Sequence, residues 1–335
     1  MHSRKLPTML DATAPIDETA SFRHEALFYR GEVDFIERVV SFIRRGVEAQ
    51  APVLVAVSAE RIAMLRDELG SVAGLVTFED INAVGRNPAC IIPLWSEFVL
   101  GHANRRKARG VGEPIHAARS RDELVECERH EALLNLAFAD GPPWDLLCPY
   151  DVESLDPAVL AEAARNHPFV AHHGTTHASP EYQGLERIDA PFRAPLAPPP
   201  FDHLAMPFET FGAGAVRKSV ADYCATRLPD DRVDDLVLAA NELATNSLRH
   251  GGGTGVLRLW STGAAVVCEI EDRGAIADPL AGRRQPRGDQ EGGRGLWLAN
   301  QVCDLVQIRV LPTGGVVRLH VDARGRGSQQ LSVEL

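Results

Sequence analysis

A chain of 335 residues with 45% hydrophobic and 24% charged side chains is too long for one ordinary domain and too apolar to be disordered throughout. Its net charge of −11, from 46 acidic and 35 basic residues, argues against the basic face that a nucleic-acid binder uses. The acidity is uneven: residues 1–190 carry 19 Lys and Arg against 29 Asp and Glu, residues 191–335 carry 16 against 17.

In chain order, residues 1–20 contain Asp11, Asp17 and Glu18 and no apolar core, so they read as a flexible tail and not as a signal peptide. From Phe35 to Ala49, Phe35, Ile36, Val39, Val40, Ile43 and Val47 recur at helical spacing. Pro52–Val57 is a short apolar run, as in a strand buried on both faces. A helix is expected over 61–69, a strand over 74–78, a turn and helix over 88–99, a helix over 122–139 and a buried strand over 145–150. This alternation predicts a mostly parallel sheet with helices on both faces. Residues 191–207, PFRAPLAPPPFDHLAMP, cannot continue a helix or a central strand and read as an extended linker. Beyond it, helices are expected over 214–227 and 232–250, strands over 256–260 and 266–272, a helix over 295–303, and a hairpin of 305–310 with 316–321 around Pro312-Thr-Gly-Gly315. That order predicts an antiparallel sheet with helices on one face. No apolar run approaches the roughly 20 residues that span a bilayer, so a cytoplasmic protein without membrane contact is expected. The six cysteines are far apart and read as small buried hydrophobes.

Three segments of the second half point to one ligand. Glu242, Asn246 and His250 recur at i, i+4, i+8 on one helical face, and a carboxamide beside a carboxylate suits a phosphate-bound Mg2+. Alone, this pattern is equally a solvated polar face. Glu271-Asp-Arg-Gly274 ends an apolar strand, where Asp272 needs a partner such as the amine of adenine. Gly292-Gly-Arg-Gly-Leu296 opens a helix; glycines let the backbone approach phosphate, and a helix N-terminus offers free N–H groups. Residues 273–326 hold nine arginines against five acids, with Arg283, Arg284, Arg287 and Arg294 around this loop, a positive region expected to face phosphates.

Residues 206–322 resemble the GHKL (Bergerat) ATPase domain, in its anti-sigma-factor serine/threonine kinase branch: NELATNSLRHG is similar to the N box, EDRG to the G1 box and GGRGLWLANQVCDLV to the G2 region. The resemblance implies ATP and Mg2+ as cofactors, Asn246 as metal ligand, Asp272 as adenine reader, Gly274 beside the base, and Gly293, Arg294, Gly295 and Leu296 at the phosphates. It also implies Glu242 as catalytic base toward a protein hydroxyl. The G1 box departs in having Gly274 alone, and Gly315-Val316-Val317 stands where relatives often carry a threonine. Partners implied are a sigma factor and a STAS-type anti-anti-sigma protein, in transcriptional control of a stress response without direct nucleic-acid contact; a homodimer is open.

Residues 21–190 resemble the MEDS sensory domain through HEALFY at 24–29, GVGEPI at 110–115, ECERHE at 126–131 and CPYD at 148–151. This implies a RecA-like α/β fold and a small-molecule ligand. His24, Tyr29, Glu113, Arg129, His130 and Glu131 are the candidate sensory pocket, against the alternative that His130 and Glu131 lie on a helix surface. No P-loop signature occurs. His167, His172, His173 and His177 crowd a polar segment without a nearby carboxylate or cysteine in sequence and read as a solvated loop, not a metal site. The divisions expected are a tail at 1–20, a sensory domain at 21–190, a linker at 191–205, a kinase domain at 206–322 and a tail at 323–335. Two other readings stay open: a sensor histidine kinase, which lacks here a helical hairpin carrying a phospho-accepting histidine, and a non-catalytic module that holds nucleotide and acts by association.

Overall fold

The computed structural model describes residues 22–104, 106–172, 175–185, 188, 193–209, 212–286 and 293–324. The tail expected at 1–20, most of that at 323–335, and His173, Arg287 and Gly292 lie outside the described residues.

The first half is built on strands β1 (Phe22–Tyr29), β2 (Val53–Val57), β3 (Thr77–Asp80), β4 (Ala108–Gly112), β5 (Trp144–Asp151), β6 (Phe169–His172) and β7 (Thr175–Ala178), interleaved with helices α1 (Gly31–Glu48), α2 (Ala59–Leu69), α3 (Ile81–Val84), α4 (Ile91–Gly101), α5 (Arg121–Ala137) and α6 (Pro157–Asn166). The sheet order is β3-β2-β4-β5-β1-β6-β7, parallel except for the antiparallel β6–β7 pair. Every residue of β2 is buried because helices cover both faces. Phe35, Val39 and Ile43 of α1 pack with α2 on one face. Ile92 and Trp95 of α4, Leu133 and Leu134 of α5, and Val159 and Ala163 of α6 pack on the other. The strand expected over 74–78 begins only at Thr77, because residues Gly70–Leu75 close a 3-10 turn after α2.

The second half carries β8 (Leu204–Glu209), α7 (Ala213–Cys224), α8 (Asp230–His250), β9 (Thr254–Ser261), β10 (Ala265–Asp272), α9 (Arg294–Val302), β11 (Leu305–Leu311) and β12 (Gly314–Asp322). Its antiparallel sheet runs β11-β12-β10-β9-β8. Residues Leu204 and Ala205, expected in the linker, pair with Leu259 and Arg258 and belong to β8. Helices α7, α8 and α9 pack on one face through Val216, Val220, Leu236, Ala240, Leu243 and Ala299. On the other face Glu269, 4% exposed, accepts from Arg318, which also reaches the Ala197 carbonyl at 2.7 Å. The proline-rich segment is thereby tied to the back of the second sheet.

The two halves meet through α5. Glu126, 0% exposed, accepts from Arg309 Nη1 of β11 at 2.7 Å. Arg283 Nη2 lies 3.6 Å away and Arg129 Nη1 3.9 Å; Arg129 also donates to the Ile308 carbonyl. Asn87, before the turn Pro88–Cys90, donates to the backbone and side-chain oxygens of Asn300 on α9. Arg86 pairs with Asp304, which also holds the fully buried Arg232 of α8. Leu280, from the segment between β10 and α9, packs into the core of the first domain.

Removing one member of a buried charge cluster leaves the others unpaired, at a cost of roughly 3–5 kcal/mol. Glu126→Leu should therefore lower the urea midpoint by more than Lys218→Ala, which removes only an exposed i,i+4 pair with Asp222. Equal midpoints for the two variants would show that Glu126 does not hold the domains together.

Candidate functional site

A cavity of about 820 Å³ opens between α8, the end of β10, the segment 274–286, the start of α9, and β12. Its wall includes Asn246, Ser247 and His250 of α8, Asp272 at the end of β10, Gly274, Ile276, Leu280, Gly282 and Arg284 of the connecting segment, Gly293 and Leu296 at α9, and Gly315 and Val317 of β12. Three segments far apart in sequence are thus one site.

Asp272 is fixed before any ligand arrives. Its Oδ1 accepts from the Gly274 N–H at 2.7 Å and its Oδ2 from the Ser247 hydroxyl at 2.5 Å. A carboxylate can accept about four hydrogen bonds, so capacity for an amine donor remains. Ser247 was not singled out in the sequence; its neighbour Asn246 drew attention, but only the fold shows Ser247 turned toward β10. The carboxylate leaves no room at Gly251 either, where a Cβ would lie 2.5 Å from the Asp272 carboxyl carbon.

Gly293 precedes α9 in the left-handed region at φ 83°, a conformation that glycine adopts without strain. Gly295 is buried against α8: a Cβ there would come 2.9 Å from Asn246 Nδ2 and 3.1 Å from Glu242 Oε2. The start of a helix presents backbone N–H groups without intrahelical acceptors, which suits an anion. Arg294 is exposed at this helix start. Glu242 is not in the cavity wall and stands beside it, next to Asn246 and Gly295. Of Gly315-Val316-Val317 in β12, Gly315 and the apolar Val317 line the cavity and Val316 does not.

The expected ring of arginines is different in the fold. Arg284 lines the cavity, whereas Arg283 is 3% exposed and turned to Glu126; burial, and then Arg129, push its guanidinium down to about 10. Arg309 and Arg318 are likewise buried in ion pairs.

The six candidate sensory residues do not line one pocket. His24 and Tyr29 lie on opposite faces of β1, as strand alternation requires for an odd separation. On one face Tyr29 donates to Glu113 Oε1 at 3.0 Å, with Arg61 Nε 3.0 Å from Glu113 Oε2. Burial raises the Glu113 carboxyl to about 7 against the opposing pull of Arg61. On the other face His24 Nε2 is 3.0 Å from Glu131 Oε2. His130 and Glu131 are 1% exposed, not surface residues, and burial pushes His130 down to about 3. Arg129 belongs to the domain contact.

The histidine segment is also corrected. His167 is 0% exposed, packs against the His24 ring at 3.9 Å between centroids and lies 3.3 Å from Glu131 Oε2. His177 sits on β7 beside Thr175. Five cysteines are buried and Cys90 is half-buried; none forms a disulfide. Cys148 Sγ lies 3.4 Å from His24 Nε2, and Cys90 Sγ reaches the Asn300 carbonyl, so these two do more than fill space.

Among the described residues, no helix is long and apolar enough to cross a membrane. Residues 23–168 match the family model of the MEDS domain, the methanogen/methylotroph DcmR sensory domain. Residues 210–321 match that of the histidine kinase-like ATPase domain. No curated protein matches the chain. Among solved structures, the RsbU and RsbW domains of Rv1364c from Mycobacterium tuberculosis are similar at 20% identity over 40% of this chain, with a TM-score of 0.29. The similarity spans 35% of that chain. In chain order, then, the first half is similar to a MEDS sensory domain and the second half to a histidine kinase-like ATPase domain.

Proposed function

We propose that the protein is an ATP-dependent anti-sigma factor of the serine/threonine kinase kind, phosphorylating a STAS-type anti-anti-sigma protein under control of its first domain. The observation that carries the regulatory part is the dual use of the segment between β10 and α9. Ile276, Gly282 and Arg284 face the cavity, while Leu280 packs in the first domain's core and Arg283 turns to Glu126. Asn300 of α9 donates to the Gly282 carbonyl at 2.8 Å and accepts from Asn87. A ligand that moves α5 or the turn at Asn87 would alter the nucleotide cavity without touching it. By linkage, nucleotide would in turn bias the first domain.

The cavity fits Mg·ATP. Asp272 and Gly274 would hold the base, Asn246 the metal, and Gly293, Gly295 and the start of α9 the phosphates; bound ATP supplies the transferable phosphoryl group. The close fit of Gly295 against Asn246 and Glu242 supports this placement, since it keeps side chains out of the phosphate end. Glu242 is positioned beside that end to take the proton of a partner's hydroxyl. The segment before β8 is extended and proline-rich, with His203 bonded to the Pro200 carbonyl, and supplies no helical hairpin for histidine phosphorylation among the described residues. The apolar Val317 in the cavity wall favours the non-catalytic reading as runner-up.

Asp272→Asn should weaken ATP binding by roughly 1.5–3 kcal/mol, the worth of a hydrogen bond to a charged group. Equal affinity by calorimetry would remove Asp272 from the base site. Glu242→Ala should retain ATP affinity and lose at least about 100-fold in phosphotransfer, the lower end for loss of a general base. The assay uses radiolabelled ATP and a STAS-type partner captured from the source. Phosphate on serine or threonine in the wild type supports the kinase reading; partner binding with no phosphate transfer supports the non-catalytic one.

A further inference from the structure

In the first domain, four side chains from four elements converge away from the nucleotide cavity. They are His24 of β1, Glu131 of α5, Cys148 of β5 and His167 just after α6, all buried, with one ligand atom of each within 4.8 Å of all the others. The domain contact and the cavity use none of them.

The hydrogen bonds around this cluster set the direction of its lone pairs. Asn135 Nδ2 donates to the Asn166 carbonyl at 2.7 Å, so its Oδ1 faces His24 Nδ1, 3.1 Å away. His24 Nδ1 is then the donor and Nε2 carries a lone pair in the neutral ring. His167 Nδ1 donates to the Ala163 carbonyl at 2.7 Å, and its Nε2 has no hydrogen-bond partner. Both bare nitrogens are turned to Glu131 Oε2, at 3.0 and 3.3 Å. Glu131 Oε1 and the Tyr150 hydroxyl are buried and without partners as well. Three acceptors therefore face one another, and the single S–H of Cys148 cannot satisfy them all.

Protonating a ring is a costly remedy. It would place a further charge among groups with no access to water. A divalent cation resolves the arrangement: with one carboxylate and one thiolate it gives a neutral buried cluster. The spacing suits it, because Zn–N of about 2.0–2.1 Å and Zn–S of about 2.3 Å place tetrahedral ligands about 3.3–3.7 Å apart, against 3.0–3.4 Å between His24, Glu131, Cys148 and His167 where they approach most closely. Histidines whose second nitrogen is held by a carbonyl or amide oxygen are the ordinary outer shell of such sites.

We propose that His24 Nε2, Glu131, Cys148 Sγ and His167 Nε2 bind one divalent transition-metal ion of the zinc class. On binding, the Cys148 S–H bond breaks, an S–metal bond forms and the proton leaves to solvent. The metal would clamp α5 to β1, β5 and the end of α6, five residues along α5 from Glu126.

The test titrates Co2+ into the chelator-stripped, tag-free full chain. The expected result is one ion per chain, intense tetrahedral visible bands and a thiolate-to-cobalt band in the near ultraviolet, all displaced by Zn2+. Cys148→Ser should abolish the near-ultraviolet band, and Cys127→Ser should leave it. His167→Gln should keep that band but weaken Co2+ binding at least tenfold, and it serves as the deciding variant if Cys148→Ser does not fold. Absence of a saturable cobalt spectrum in the wild type would overturn the proposal. So would a thiolate band that survives Cys148→Ser, or unchanged affinity in His167→Gln.

Discussion

Glu126 is a carboxylate without access to water, and its need for positive partners is the constraint on which the two-domain arrangement depends. An unpaired charge in that position would be prohibitive. The partners come from three places: Arg129 on the same helix, Arg283 from the segment after β10, and Arg309 from β11. The cluster adds little net stability over an apolar contact of the same shape, because desolvation offsets most of the attraction. Its effect is to define one docking geometry: a helix of the first domain against an edge strand and the cavity-lining segment of the second.

That geometry makes the cavity a joint product of both domains, although its lining residues all come from the second. The segment between β10 and α9 is tied at Leu280, Gly282 and Arg283. Asn87 and Asn300 repeat the link at α9, with both side chains nearly out of solvent. Since α5 carries Glu126 toward this contact and Glu131 toward the histidine cluster, one rigid element spans both. The histidine cluster and the domain contact beside the cavity are therefore mechanically adjacent, separated by about one and a half turns of helix.

How much of this was legible in the sequence follows from the kind of signal each part leaves. Buried strands such as Val53–Val57 announce themselves as apolar runs, and α5 by its length. Strand β4, ARGVG, does not. Its glycines lie beneath the Trp95 ring, where a Cβ at Gly110 or Gly112 would approach to 2.8 or 2.9 Å, so packing removed the side chains that would have shown a period of two. Strands β6 and β7 are short and rich in threonine and histidine, and their hairpin was read as a loop. The cavity lining was legible because its residues lie in three local motifs, each with its own chemistry. The histidine cluster was not, because His24, Glu131, Cys148 and His167 are brought together only by a parallel sheet and two helices. The segment around His167 had no carboxylate or cysteine near it in sequence; the fold supplies both.

The arginines show the same limit from the other side. Counted along the chain, residues 273–326 form a positive region, and proximity to a glycine-rich loop suggests a phosphate-binding ring. In the fold, Arg283, Arg309 and Arg318 are each committed to a buried carboxylate, and Arg284 alone of the described arginines lines the cavity in that region beside Arg249 of α8. Beside Arg284 and Arg249, the cavity offers the left-handed turn at Gly293 and the start of α9, where backbone N–H groups and the helix dipole suit an anion. Such donors do not swing with side-chain rotation. They move only when α9 moves, and α9 is the element that Asn87 holds from the first domain. On the proposed ATP-binding reading, shifting that one helix would let the first domain open or close a phosphate site made of backbone.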